Sequence, residues 1–288
     1  GYQLEYLIKS GLTIQHEGGE PFDRFHGRVI FPIHSLSGKV IGFGGRILRS
    51  DKNIAKYLNS PESEIYHKSQ VLYGLYQARK AIEKTGKVYL VEGYTDVISL
   101  HQCGIENVVA SSGTSLTVEQ IRLIKRFTND ITILYDGDEA GIKASLRGID
   151  MVLEEGMNLK VLLLPDGEDP DSYSRKVSIT DFQGFIEKNE SDFITFKTRL
   201  LMKDAQNDPI KRANLINDVV RSIASIPDPV TRSVYIRECS VMLSTDEQTL
   251  YSQVNRIRRE KSVQKSYREY GIPEPPAELP SALPGVEV

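Results

Sequence analysis

From Lys87 to about Lys188 the chain alternates short apolar runs with stretches of helical spacing, an order few folds accept. Val88–Val91 leads into Tyr94–Cys103, Asn107–Ala110 into Thr117–Phe127, Ile131–Tyr135 into Glu139–Glu155, and Leu159–Leu164 into an acidic loop. Apolar runs of this length read as strands buried on both faces. Strands that alternate with helices predict a parallel sheet with helices on both sides. The carboxyl ends of such strands lie along one edge, where ligands bind.

Acidic residues fall at that edge. Glu92 follows the first run in V-E-G-Y-T-D, Asp136 and Asp138 follow the third in Y-D-G-D-E-A-G, and Asp169 and Asp171 follow the fourth in E-D-P-D. Two carboxylates about 4 Å apart repel by roughly 4 kcal/mol at an effective dielectric near 20. Five gathered together call for cations or shared protons. Oxygen ligands with no His or Cys nearby select hard cations, Mg²⁺ or Mn²⁺, rather than zinc. Such sites serve phosphoryl or nucleotidyl transfer, for which two or more ions are expected. Glu92, next to Gly93, has the reach to ligate metal or to act as general base, and Asp96, one helical turn on, would support it by orienting it or by binding water. The competing reading makes these acids helix caps: Asp138 and Asp171 would each sit before a helix and favour its dipole. Capping needs only one acid per helix, so five at three strand ends favour the metal.

The flanking segments read differently. Leu4–Ser10 has a short helical pattern, and Val29–Pro32 with Lys39–Arg49 form a hairpin about Ser37-Gly38. Gly44 and Gly45 inside the second strand require a bulge or a close backbone approach. Gly42–Arg46 lies in a hairpin, not between strand and helix, so it is no dinucleotide fingerprint and a nicotinamide enzyme is disfavoured. Ser111–Ser115 follows a strand and precedes a helix, where amides can hold phosphate; taken alone, the loop reads rather as an ordinary strand-to-helix turn. From about Glu190 to Tyr270, Phe193, Phe196, Leu200, Leu215, Val219, Ile223, Tyr235, Ile236, Met242 and Leu250 recur at helical spacing and predict a helical bundle. Pro227 and Pro229 break it, with Asp228 as a cap. The five prolines between Gly271 and Val288 predict a disordered tail.

Charge divides along the same lines. Residues 1–86 carry 12 basic and 8 acidic side chains, and residues 87–180 carry 9 and 15. An acidic site beside a basic surface suits metal ions next to a polyanion. Arg24, Arg28, Arg46, Lys56 and Lys68 are interleaved with Tyr57, Tyr66 and Tyr73, a mixture suited to a single strand of nucleic acid; a solvated positive face with inward tyrosines fits equally. Two cysteines, Cys103 and Cys239, are too few for a disulfide framework or a four-thiolate zinc site, which points to the cytoplasm. No run reaches membrane-spanning length, and the Gly1 start reads as part of a longer chain.

The stretches R-F-H-G-R-V-I-F-P-I (24–33), V-I-G-F-G-G-R (40–46), K-Y-L-N-S-P-E (56–62), His67-Lys68, L-Y-G-L (72–75), V-E-G-Y-T-D-V, Y-D-G-D-E-A-G and L-P-D-G-E-D-P-D together resemble the RNA polymerase core of bacterial DnaG-type primases. The acid motifs alone indicate a Toprim domain; K-Y-L-N-S-P and G-F-G-G-R are more specific. The resemblance implies an α/β Toprim domain (87–188), preceded by an α+β basic subdomain (1–86) and followed by a helical subdomain (189–270) and a proline-rich tail (271–288). It implies that Glu92, Asp136, Asp138, Asp169 and Asp171 hold the metals, and that Arg24, Arg28, Arg46, Lys56, Tyr57, Asn59 and Lys68 line the surface for nucleoside triphosphates and single-stranded DNA template. The implied product is an RNA primer, made at the bacterial replication fork. Zinc belongs to an N-terminal module and the replicative helicase to a C-terminal domain, both outside this chain; no membrane is involved. A Toprim nuclease and a non-catalytic nucleic-acid-binding module are the competing readings.

Overall fold

The computed structural model describes residues 1–48, 54–113, 115–137, 150–205 and 208–270. Asp138, most of the segment expected to be helical over 139–155, and the tail from Gly271 lie outside the described residues.

The central layer is a sheet of β6 (Lys87–Val91), β7 (Val108–Ala110), β8 (Asp130–Tyr135), β9 (Asn158–Leu163) and β10 (Ser191–Asp192), in the order β10-β9-β8-β6-β7. β7, β6, β8 and β9 are parallel, as the alternation predicts. β10 is antiparallel to β9 and was not foreseen, since two residues show no alternation.

Successive side chains of each strand enter two different cores, because a strand's side chains alternate between its faces. Val88, Leu90, Val109, Ile131, Ile133 and Val161 join the side holding α2 (Leu75–Thr85) and α4 (Val118–Lys125). Val91, Val108, Ala110, Leu134 and Leu162 pack on the other side with α3 (Tyr94–Gln102) and with Phe182 and Ile186 of α6 (Ile179–Asn189). Helices cover both faces.

Helix ends follow local chemistry. Thr117 caps α4 through the Gln120 amide, with Gln120 returning the bond. Asp169 caps α5 (Pro170–Lys176), whose first residue is a proline that has no N–H to lose. α2 ends at Gly86 with φ 67, a left-handed cap that turns the chain into β6. The sequence reading passed over α2, although Leu75, Ala78 and Ile82 share one buried face.

The N-terminal subdomain holds α1 (Leu4–Lys9), the pair β1 (Thr13–Ile14) and β2 (Phe22–Asp23), and an antiparallel sheet of β3 (Arg28–His34), β4 (Val40–Ile47) and β5 (Tyr57–Asn59). The β3–β4 hairpin turns at Gly38, φ 82. Close approach explains both strand glycines: a Cβ on Gly44 would stand 2.4 Å from the Tyr94 ring, and one on Gly45 2.7 Å from Phe25.

The C-terminal helices are α7 (Phe193–Ala205), α8 (Pro209–Ser225), α9 (Pro229–Leu243) and α10 (Glu247–Tyr270). Asp228 caps α9 as expected. Phe193, Leu200, Leu215, Val219, Ile223, Ile236 and Leu250 are buried in the same apolar cluster as one face of the sheet. Each such side chain contributes roughly 1.5–3 kcal/mol on burial, so sheet and helices hold each other. At their junction Glu190 accepts hydrogen bonds from Lys87 and Lys160, and burial of the Lys87–Glu190 pair ties α6 to the amino ends of β6 and β9.

Candidate active site

Register places the acids side by side. Leu90 of β6 is level with Ile133 of β8, and Tyr135 of β8 is level with Leu163 of β9. Glu92 therefore leaves β6 beside Tyr135, and Asp136 leaves β8 beside Leu164, on strands about 4.8 Å apart. The Tyr135 hydroxyl is held protonated to high pH, by burial first and by the Glu92 charge second. Beyond the strands the ladder continues: Leu164 N–H donates to Tyr135 O at 3.0 Å, and Gly137 N–H to Glu168 O at 3.0 Å.

Glu92, Asp96, Asp136, Asp169 and Asp171 line one cavity of about 730 Å³. Glu92, Asp136 and Asp169 are exposed to it, while Asp96 and Asp171 are half-buried. Gly137 makes the two aspartate loops meet. A Cβ there would lie 2.2 Å from the Pro165 carbonyl oxygen, so the reason for glycine is contact with the neighbouring loop. Asp96 accepts from Gly93 N–H at 2.9 Å. Its carboxyl is pushed up to about 6, chiefly by burial, against the Gly93 hydrogen bond, with the charges of Asp169, Asp136 and Asp171 adding to the rise.

Asp169 and Asp171 have further commitments. Asp169 Oδ1 accepts from Ser172 N–H at 2.6 Å, so Asp169 is the helix cap as well as a wall of the cavity. Asp171 takes a two-pronged contact from Arg175, at 2.9 and 3.0 Å, and a hydrogen bond from Ser99 Oγ. Among the described residues no three acids, histidines or cysteines are already drawn together as a ready cation site. The carboxylates share a cavity without closing on a common point.

Across the cavity stands the basic subdomain. Arg46, Lys56, Tyr57 and Asn59 line it. The Arg46 guanidinium lies 5.6 Å from the Tyr57 ring centroid and the Lys56 ammonium 5.9 Å, and both cations favour the ring face. Tyr57 Oη and Thr95 Oγ1 are 3.4 Å apart across the two subdomains. Asn59 bridges the same gap: it accepts from Tyr94 Oη at 2.7 Å and donates to Ser112 O at 3.1 Å.

The other predicted cations are placed as braces. Arg24 donates to Asn59 O at 3.3 Å, Arg28 to Ala55 O at 2.9 Å, and Lys68 Nζ to Gly113 O at 3.0 Å. Tyr66 and Tyr73 pack inward, Tyr66 only 2% exposed, leaving Tyr57 as the ring in the cavity. In the Ser111–Ser115 loop, Ser111 N–H and Ser112 N–H donate to Val91 O and Glu92 O, so those two amides are spent on the turn.

Sequence reasoning missed Tyr94. Tyr94, 2% exposed, stacks on Phe31 at 5.0 Å and fills the space left by Gly44, joining the acid turn to the basic sheet. The G-F-G-G motif was its available signal.

An α/β layer with an acidic carboxyl edge, roofed by a basic antiparallel sheet, defines a Toprim-type core. Family models match in the same order: "DNA primase catalytic core, N-terminal domain" over residues 1–79, "Toprim-like" over 89–174, and "DnaB-helicase binding domain of primase" over 195–248. The DNA primase of Halalkalibacterium halodurans is 40% identical over 260 residues, covering 89% of this chain and 43% of that protein. A DNA primase domain from Pseudomonas aeruginosa superposes with a TM-score of 0.79 at 34% identity, over 90% of this chain and 81% of that one. A DnaG primase catalytic domain solved bound to single-stranded DNA gives 0.75 at 37% identity, over 85% and 77%. The chain belongs to the DnaG-type DNA primases and carries their catalytic-core fold.

The chain spans less than half the length of the curated relative. The third match also corrects one expectation. The sequence reading put helicase contact wholly outside the chain and gave the helices after Glu190 no role, whereas the segment so described covers most of α7, all of α8 and α9, and the first residues of α10. Among the described residues no helix is long and apolar enough to cross a membrane.

Proposed function

We propose that this core carries out template-directed synthesis of short RNA on single-stranded DNA at the bacterial replication fork. A ribonucleotide 3′-hydroxyl attacks the α-phosphorus of a nucleoside triphosphate, the bond to the β-phosphate oxygen breaks, and pyrophosphate leaves. The observation that carries this reading is one cavity with Glu92, Asp136 and Asp169 on one wall and Arg46, Lys56 and Tyr57 on the other.

The donor set fits a hard divalent cation. It is all oxygen, and after burial, the main cause, the charges of Asp169, Asp136 and Asp171 also push the Asp96 carboxyl up, which sets those acids close to one another. Glu92, Asp136 and Asp169 would hold Mg²⁺ or Mn²⁺, two or more ions in number, with Asp171 and the undescribed Asp138 completing the set. The bound ion supplies charge for the triphosphate and acidifies the attacking hydroxyl. Glu92 takes the hydroxyl proton on a carboxylate oxygen, Arg46 and Lys56 balance phosphate charge, and Tyr57 offers a face for a base. Asp96 holds the Glu92 turn through Gly93 N–H. Arg24, Arg28, Asn59 and Lys68 shape the basic wall from behind, and the C-terminal helices meet the replicative helicase.

Labelled ribonucleotides supplied with a single-stranded template test the reading. Wild-type protein extends them, whereas Asp136→Asn with Asp138→Asn abolishes product and leaves template binding measurable. Undiminished product from the double variant would reject the acid assignment, and DNA fragments in place of RNA would make the protein a nuclease.

A further inference from the structure

Asp171 carries a cation of its own within the acidic wall. Arg175, one turn further along α5, meets it with a planar fork: Nε donates to Asp171 Oδ1 at 2.9 Å and Nη2 to Oδ2 at 3.0 Å. Ser99 Oγ of α3 donates to the same Oδ1. These bonds take up most of the roughly four acceptor positions of a carboxylate, so the group is held at both oxygens and does not turn freely. The Asp171 side chain is 17% exposed and that of Arg175 70%, so the acid is largely covered while its partner reaches into solvent.

Without such a partner the place of Asp171 would be unfavourable. The Asp96 carboxyl, raised chiefly by burial, is raised further by the charges of Asp169, Asp136 and Asp171, so these acids feel one another. Like charges gathered together repel, and a carboxylate free to move retreats from its neighbours. Ser99 lies three residues beyond Asp96 on α3 and shares its face, so Asp171 meets a repelling group and an attracting one within a single turn. The Arg175 guanidinium supplies the opposite charge that keeps it there.

The tie also joins two parts of the site that the sheet leaves apart. α3 begins two residues after Glu92, and α5 begins one residue after Asp169. The strands that lead to them, β6 and β9, are not neighbours, because β8 lies between. Asp171, gripped by Arg175 on its own helix and by Ser99 on the other, links the two helices directly.

We propose that Arg175 is a positioning residue: through Asp171 and Ser99 it holds the Asp169 loop against the Glu92 turn, so that the acids are kept together before a divalent cation arrives. The inference rests on the ion binding in the function proposed above. Arg175 acts through Asp171, not on substrate.

The test is Mn²⁺ binding to the whole chain without nucleotide, measured by calorimetry, with thermal unfolding and template affinity as controls that should stay near wild type. Arg175→Ala should weaken Mn²⁺ binding about tenfold, the loss that follows when a ligating carboxylate is deprived of its own hydrogen-bond partner. The sign is diagnostic, since removal of a nearby positive charge would by itself tighten cation binding. Arg175→Lys keeps the charge but cannot form the planar fork, so it should stay about fivefold weaker than wild type. Ser99→Ala, which removes the α3 end of the tie and no charge, should weaken binding in the same sense. Should Arg175→Ala not fold, the lysine and Ser99 variants judge the proposal by themselves. Unchanged or tighter binding in Arg175→Ala, full recovery in Arg175→Lys, an unaffected Ser99→Ala, or wild-type protein that binds no Mn²⁺ would each overturn the inference. Primer synthesis is read separately: wild-type protein that binds Mn²⁺ but makes no RNA rejects the proposed reaction and leaves the Arg175 result standing.

Discussion

The two walls of the cavity hold opposite charges and are built in opposite ways. On the acidic wall Glu92 and Asp136 directly follow β6 and β8, so the sheet itself fixes where they stand, and Asp169, a loop beyond the end of β9, is fixed as the cap of α5. On the basic wall the cations act largely through intermediaries: Arg24, Arg28 and Lys68 are spent on backbone carbonyls, and Arg46 and Lys56 sit over one tyrosine. The difference fits what each wall is proposed to meet. A metal ion demands fixed oxygen positions at short range, whereas phosphates and bases are met by a shaped surface with net charge.

If that contrast holds, disturbing the acidic wall costs far more than disturbing the basic one. Glu92→Gln should lower primer synthesis by about a thousandfold or more with template affinity retained, since general-base catalysis and ion binding are lost together. Gly137→Ala removes no acid, yet it should cost about a hundredfold in turnover, because the loops of Asp136 and Asp169 are forced apart. Single-turnover rates check both, and a Gly137→Ala protein of full activity would show that the acids need no fixed spacing.

On the other wall, Lys56→Ala or Arg46→Ala should raise the apparent triphosphate requirement roughly tenfold and flatten its salt dependence, with the maximal rate nearly kept. A loss of rate as large as that of Glu92→Gln would erase the distinction between the walls. The smallest effect concerns stability. With its carboxyl at about 6 in the folded protein against 3.8 as a free side chain, Asp96 keeps its proton longer folded than unfolded. Its contribution in the metal-free protein is therefore present below pH 3.8 and is lost as pH rises through 6, by about 1 kcal/mol between pH 5 and 7. Denaturant unfolding across that range should show the slope, and Asp96→Asn should flatten it.

What could be read in advance follows the same division. Glu92 and Asp136 were legible because strand polarity alone carries residues at strand ends to one edge, and Asp169 follows the same edge a loop further on. The braces were not: Arg24, Arg28 and Lys68 bind carbonyls contributed by residues up to 45 positions away, and a carbonyl has no sequence signature. α2 was missed because Gln77, Arg79, Lys80, Glu83 and Lys84 outnumber its buried face of Leu75, Ala78 and Ile82. β5 is three residues long and is a strand only because β4 offers it an edge. The capping alternative named Asp138, which lies outside the described residues, and Asp171, which sits in the first turn of α5; the cap is Asp169, which also faces the cavity, so cap and site were never exclusive choices.

The shared apolar cluster beneath the sheet has a mechanical consequence. Phe193, Val219 and Ile223 are sealed against the same interior as Ile131 and Val161, and Glu190 clasps Lys87 and Lys160 at the junction. The C-terminal helices are therefore no pendant. A pull on those helices is therefore borne by the strands that end in Glu92 and Asp136, through the interior they share.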